Sequence, residues 1–332
     1  MFDFKKISSE TSMPYVIAEA GINHNGDIEI AKQMISEASN CGAHAIKFQT
    51  IFPDELFSKS INPELFEMSH DWILSKSDHI QLQKFAKQQK IDFFSTPFGM
   101  KSLKLLAHLK TPIIKIASGE LTNHELIKNA ALTKTPLLIS TGMSTLSEIC
   151  TVVEILKQKK SLFALMHCNS SYPTPTTDAN LASIPYFKNF FNIPVGYSDH
   201  TLGIEACSTA VSLGACILEK HFTLDKQMEG PDQKLSADPK ELSKLINNVK
   251  KIKKLLGKPR VYPTKSEKNF RINMRKSIGA LVDIPAGTKL TRSLLGVFRP
   301  GIGIEPFEIE KILKMTPIRN IKKGTLLRYD DF

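Results

Sequence analysis

Eight short apolar runs in the first two-thirds of the chain each end in polar, chemically capable side chains. They span residues 15–19, 45–49, 93–96, 113–118, 137–141, 162–167, 195–200 and 217–221. Helix-length segments follow most of them, for example at 28–39, 101–108, 146–157 and 203–213. Strands that alternate with helices imply a parallel sheet. Eight such units imply an α/β fold of the closed (β/α)₈ barrel type, whose active site lies where the strands end. The reactive residues of this chain sit at those ends, so the chain reads as an enzyme.

At 332 residues the chain exceeds one typical barrel by a small domain. No apolar run reaches the roughly 18 residues of a membrane span. The N-terminus, Met1-Phe2-Asp3-Phe4-Lys5-Lys6, lacks the apolar core of a signal peptide. A cytoplasmic protein with no membrane partner is the expectation. The five cysteines have no paired metal-ligand spacing, and an odd count suits a reducing compartment. Cys150, Cys207 and Cys216 lie in apolar segments and read as small hydrophobes. Cys168, beside His167 at a strand end, is the one thiol placed where a nucleophile would be. The net charge of +11 raises the question of nucleic acid. However, the lysines are scattered through helices, as in 244–254, without an aromatic platform or a reading motif. They read as solvated helix faces, and nucleic acid is not expected as a partner.

The barrel pattern (1–257) closes with a helix at 239–256, stopped by Gly257-Lys258-Pro259. A polar, aperiodic stretch to residue 274 reads as a linker (258–274). From Arg275 to the end (275–332) the texture becomes short strands and turns, with one possible helix at 306–313. Asp283-Ile284-Pro285-Ala286-Gly287-Thr288 and Asn320-Ile321-Lys322-Lys323-Gly324-Thr325 share one turn grammar, as pseudo-symmetric turns would. A domain of this size has a modest core and is expected to dock on another surface.

Within the barrel, Lys47 and Lys115 interrupt runs otherwise apolar enough for the interior. A lysine there is costly unless it is paired or faces a ligand. One alternative is a lysine snorkelling from an outward position. Another is a Schiff-base amine with a pKa lowered by burial. His200 and His221 end what would be strands seven and eight, and Glu219 shares the face of His221. Closure would bring Glu19, on strand one, beside strand eight. Two imidazoles with carboxylates and water suit Mn²⁺, Zn²⁺ or Fe²⁺ better than Ca²⁺. Ser95-Thr96-Pro97-Phe98, Ser118-Gly119-Glu120, Ser140-Thr141-Gly142-Met143 and Ser170-Ser171-Tyr172-Pro173 all follow strands. Small hydroxyls and free backbone N–H groups at barrel tops can hold phosphate. Asn23-His24-Asn25-Gly26 reads first as a turn, with His24 able to line the pocket.

The ordered set of these motifs resembles the sialic acid synthases, the enzymes making N-acetylneuraminic, legionaminic and pseudaminic acids. It runs from Ala18-Glu19-Ala20-Gly21-Ile22-Asn23-His24-Asn25-Gly26 and Lys47-Phe48-Gln49-Thr50 to Lys115-Ile116-Ala117-Ser118-Gly119-Glu120. It continues through His167-Cys168-Asn169-Ser170-Ser171-Tyr172-Pro173, Ser198-Asp199-His200 and Glu219-Lys220-His221-Phe222-Thr223. Arg275-Lys276-Ser277 and Phe298-Arg299-Pro300-Gly301 are similar to that family's C-terminal antifreeze-like (SAF) domain. The resemblance implies condensation of phosphoenolpyruvate with an N-acetylmannosamine-type sugar and water, giving a nine-carbon 2-keto acid and phosphate. Lys47, Thr96, Lys115, Ser118, Ser140, Ser170 and Ser198 would hold phosphoenolpyruvate. His200 and His221 would bind Mn²⁺ or Mg²⁺. Glu120 would transfer a proton, while Glu19, Tyr172, Glu219 and Asp232 would position the sugar or a water. Head-to-tail, domain-swapped homodimers would bring Arg299 to the sugar's N-acyl group. Ser170 departs from the asparagine that some members carry there, and residues 61–78 match no part of the pattern.

N-acetylmannosamine, giving N-acetylneuraminate, is the leading acceptor. The 2,4-diacetamido-trideoxy sugar, giving N,N'-diacetyllegionaminate, is the alternative. Two other classes remain: a Schiff-base aldolase using Lys115 or Lys47, and a saccharide- or ice-binding protein with an inert barrel.

Overall fold

A computed structural model describes residues 4–7, 13–259 and 261–332. Met1 to Asp3, read above for a signal-peptide core, and Arg260, read as linker, lie outside the described residues. The chain forms two compact units, Met1–Lys258 and Pro259–Phe332.

The first unit is a closed barrel of eight parallel strands paired in sequence order. They are β1 (Tyr15–Gly21), β2 (Ala45–Thr50), β3 (Asp92–Pro97), β4 (Ile114–Ile116), β5 (Leu137–Ser140), β6 (Phe163–His167), β7 (Val195–Asp199) and β8 (Ile217–His221). β8 pairs with β1, with Glu19 opposite His221, so the expected closure is present. The expected helices appear as Ile28–Asn40, Met100–Leu109, Leu146–Gln158, Glu205–Ser212 and Pro239–Leu256.

Local chemistry sets their ends. Asp27 accepts from the amides of Glu29 and Ile30, Thr145 and Glu148 form a capping box, and so do Asp238 and Glu241. Each helix buries one stripe against the strands, as Leu242, Leu245, Ile246 and Val249 do in the last. Lys244, Lys250, Lys251 and Lys254 of that helix are exposed. They are the solvated face that the charge pattern suggested. Among the described residues, no helix is long and apolar enough to cross a membrane.

The barrel interior is layered by the two-residue period of a strand. Ile17, Ala45, Phe94, Ile113, Leu138 and Ile217 pack together as an apolar inner plug. Two residues further along the same strands stand Glu19, Lys47, Thr96, Lys115, Ser140 and Glu219. The alternation that builds an apolar plug thereby delivers a polar layer directly above it. At Gly196 there is no room for a side chain: a Cβ would collide with Met166 Sδ and lie 2.8 Å from the Ile217 carbonyl oxygen.

Residues 51–75, after β2, form an excursion of three short helices, Pro53–Leu56, Pro63–Met68 and Ser69–Trp72. It is anchored at a distance. The Glu55 carboxylate accepts from the amides of Lys101 and Ser102, at the start of the helix Met100–Leu109.

In the second unit β9 (Ser277–Ala280) and β10 (Leu295–Phe298) form an antiparallel pair over a core containing Ile278, Ile284, Leu295, Ile312, Ile321 and Leu327. The two like-patterned turns face each other. Ile284 and Ile321 exchange both backbone hydrogen bonds at 2.8 Å. Asp283 Oδ1 accepts from the Lys323 amide at 2.7 Å, and Asn320 Oδ1 accepts from the Ala286 amide at 2.8 Å. These bonds are equivalent under a pseudo-twofold, so the sequence similarity has a structural basis. The segment 258–274 differs from an aperiodic linker: it contains a helix, Glu267–Met274, whose Ile272 carbonyl accepts from the Gly301 amide at 2.7 Å.

Gly196→Ala should therefore lower barrel stability by about 1–3 kcal/mol through overpacking. Urea unfolding followed by circular dichroism measures it, and an unchanged midpoint would show that the interior has slack at β7.

Candidate active site

A cavity of about 400 Å³ opens at the C-terminal ends of the strands. Its floor carries four charges. Glu19, Lys47, Lys115 and Glu219 are each at most 3% exposed. Lys47 Nζ stands 2.7 Å from Glu19 Oε2 and 3.9 Å from Glu219 Oε2, and donates to Thr96 Oγ1 at 3.0 Å. Lys115 Nζ donates to Glu219 Oε1 at 2.7 Å, and Ser198 Oγ donates to the same oxygen at 2.8 Å. Glu19 Oε2 meets Lys47 as a close ion pair, and both it and Glu219 Oε2 are left without a well-formed hydrogen bond.

The two carboxylates are pushed in opposite directions. Burial raises the Glu19 pKa, and the neighbouring lysines only partly offset it. Burial works in the same direction on Glu219, but Lys115 and then Lys47 outweigh it and hold that carboxyl below its ordinary value. Glu19 is therefore the carboxylate able to exchange a proton near neutral pH, while Glu219 stays ionised.

His200 and His221 stand together, their ring centres 5.3 Å apart, with the Tyr172 ring 4.1 Å from His200. Burial, above all, lowers His200 to about 4. Burial and the adjacent His200 and Lys47 take His221 well below its usual value. Both imidazoles are neutral at pH 7, the form that ligates metals. His200 Nδ1 bonds the carbonyl of Asn169, a partner of the kind that fixes the tautomer of metal-binding histidines. His221 Nδ1 is buried without a hydrogen bond, 3.5 Å from Asp232 Oδ2. Among the described residues, no three of His, Cys, Asp and Glu converge as a complete ligand set. The donor chemistry fits an ion held by two imidazoles, with its other positions left to water or substrate.

Ser118, Ser140, Ser170, Ser198, Thr96 and Tyr172 also line the cavity. Ser118 Oγ accepts from the Gly142 amide at 3.1 Å and lies 3.1 Å from Cys168 Sγ. A Cβ at Gly142 would strike Ser170 Oγ and lie 2.8 Å from Ser118 Oγ, so glycine keeps these hydroxyls close.

Two of the residues expected in the barrel site, Glu120 and Asp232, are not part of the lining. Glu120 is outside the lining, its carboxylate accepting from Asn123 Nδ2 at 2.8 Å. Asp232 borders the site, its Oδ2 3.5 Å from His221 Nδ1 and its charge felt by Tyr172. Arg299 belongs to the second unit, where its Nε donates to the Met274 carbonyl at 3.0 Å. His24 does not line the cavity either; its Nδ1 accepts from the Gly26 amide at 3.0 Å within the turn.

The cavity lining also has an apolar part, Ile51, Leu56, Phe57, Trp72 and Phe98, of which the sequence motifs include only Phe98. For the others the only available signal was the chain's single tryptophan, inside the unassigned stretch 61–78.

The NeuB family model matches residues 34–260, and the SAF domain model matches residues 275–332. The chain is 38% identical to the N,N'-diacetyllegionaminic acid synthase of Legionella pneumophila, across 95% of this chain and 94% of that protein. It is 35% identical to the N-acetylneuraminate-9-phosphate synthase of Mus musculus, across 85% and 82%. Among solved structures it is similar to the N-acetylneuraminic acid synthetase of Leptospira borgpetersenii in complex with citrate. That likeness has a TM-score of 0.76 and 40% identity, covering 78% of this chain and 90% of that one.

Lys115→Met should cost stability of about 3 kcal/mol by stranding the Glu219 charge. Lys115→Met/Glu219→Gln should recover most of it. Denaturant titration of the two variants checks this, and an equal loss in both would refute the pairing.

Proposed function

The chain belongs to the NeuB family of phosphoenolpyruvate-dependent nonulosonate synthases, and we propose that it joins phosphoenolpyruvate, water and an N-acetylmannosamine-type sugar. The products are a nine-carbon 2-keto acid and phosphate. The observation that carries this reading is the buried pair of lysines beneath a ring of hydroxyls. A lysine has three donors. Lys47 directs one at Thr96 and stands against Glu19, and Lys115 uses one on Glu219, so donors remain for an added anion. Thr96, Ser118, Ser140, Ser170 and Ser198 supply neutral hydrogen bonds around them.

His200 and His221 would hold a divalent ion, Mn²⁺ or Mg²⁺. Such an ion supplies Lewis acidity toward the sugar aldehyde. Carbon 3 of phosphoenolpyruvate attacks the aldehyde carbon, and water adds to carbon 2. The tetrahedral carbon then breaks its bond to the bridging oxygen and releases phosphate. We assign the proton transfers to Glu19 rather than Glu120, because Glu19 lines the cavity with a raised pKa and Glu120 is turned to Asn123. Tyr172 packs tilted against His200 and edge-on to His221 and orients the sugar, with Asp232 behind His221. Arg299 of a second copy would reach the N-acyl group in a homodimer, as a planar donor fork suited to a carbonyl.

The apolar part of the lining would separate the two acceptors, provided it receives the sugar's sixth carbon. N-acetylmannosamine ends in a hydroxymethyl group, whereas the 2,4-diacetamido-2,4,6-trideoxy sugar ends in a methyl. Stripping a hydroxyl of water against Leu56, Phe57 and Trp72 costs about 1–3 kcal/mol without a partner. An apolar lining there favours the trideoxy sugar, with N,N'-diacetyllegionaminate as product.

The test is phosphate release from phosphoenolpyruvate with Mn²⁺ and either sugar. Release should require sugar, stop with EDTA, and show kcat/KM at least tenfold higher for the trideoxy acceptor. In the same assay Arg299→Ala should raise the sugar KM and leave the phosphoenolpyruvate KM unchanged. A keto-acid adduct trapped by borohydride, with no phosphate released, would instead establish the Schiff-base aldolase.

A further inference from the structure

A second charged pair lies behind the histidines, on the opposite face of the same two strands. Asp199 and Lys220 are direct cross-strand partners in the β7–β8 register and are 1% and 2% exposed. Strand alternation turns them away from the face that carries Ser198, Glu219 and His221. Lys220 Nζ donates to Asp199 Oδ2 at 2.9 Å and also to the carbonyl of Thr201. Asp199 Oδ1 accepts from the Thr201 amide and from Thr201 Oγ1, each at 2.8 Å, and from the Tyr197 hydroxyl at 3.1 Å. Cys207 Sγ lies 3.3 Å from Asp199 Oδ2.

Both backbone groups of Thr201 are thus taken by this pair, and Thr201 directly follows His200. Lys220 directly precedes His221. One histidine is held through the residue after it, and the other through the residue before it, by a single ion pair. A buried ion pair is weak evidence of a stability role, since well-packed apolar residues often serve as well at such a site. Its bonds instead go to the turn that sets where His200 stands relative to β8.

We propose that Asp199 and Lys220 are positioning residues that fix the spacing of His200 and His221. The inference rests on the reading of those histidines as ligands of a divalent ion. Residues behind metal-binding histidines typically alter affinity by about 10- to 100-fold.

The test is Mn²⁺ titration of the full chain, with free Mn²⁺ read by electron paramagnetic resonance. Its comparison is Asp199→Asn/Lys220→Met, which removes both charges together and leaves neither unpaired. The expected result is a melting temperature close to that of the unmodified chain with the Mn²⁺ Kd raised at least tenfold. A merely structural pair would lower the melting temperature and leave affinity alone. An unchanged Kd in a folded variant overturns the proposal.

Hydrogen exchange on the unmodified chain tests the clamp independently of metal and of any variant's folding. The Thr201 amide should exchange as slowly as that of Tyr197 inside β7. Exchange as fast as that of exposed Leu202 overturns the clamp. An unmodified chain that takes up no Mn²⁺ would refute the metal reading, and the Thr201 amide would then decide the clamp alone.

Discussion

Two lysines and two glutamates share the floor of the barrel almost entirely out of water. That arrangement constrains everything around it. Four charges above an apolar plug are tolerable only because they neutralise one another, Lys47 with Glu19 and Lys115 with Glu219. The balance also makes the floor reactive. Glu219 lies close enough to both lysines to remain ionised, whereas Glu19 is desolvated faster than Lys47 compensates. A proton carrier and a fixed charge arise from the same residue type on neighbouring strands, distinguished by their neighbours alone.

Much of this was legible in the sequence, for one physical reason. A strand repeats every two residues, so a lysine two positions after Ala45 or Ile113 had to lie above the plug that those residues build. Barrel closure then made β8 and β1 neighbours, which placed Glu19 opposite His221. The like-patterned turns at 283–288 and 320–325 met across a pseudo-twofold for a similar reason, since equal local conformations present equal hydrogen-bonding groups.

What sequence could not supply depended on partners far along the chain. Leu56 and Phe57 reach the cavity next to Glu55, which caps a helix that begins at Met100, and Trp72 follows Asp71, whose carbonyl lies against the Gly26 turn. No local pattern encodes that contact. Glu120 follows a strand as a catalytic acid should, but the orientation of its carboxylate is decided by Asn123. The helix Glu267–Met274 buries none of its residues and has no apolar stripe to announce it. It is tied down by the turn at residues 299–301. Asp199 and Lys220 each directly precede a motif histidine, and strand alternation assigns them to the opposite face.

If the floor holds phosphoenolpyruvate while water attacks its carbon 2, the carbon–oxygen bond is the one that breaks. Phosphoenolpyruvate labelled with ¹⁸O at the bridging position tests it directly, by mass spectrometry of both products. The label should leave in phosphate, and oxygen from water should appear in the keto acid. Label retained in the keto acid would mean cleavage between phosphorus and oxygen, and would contradict it.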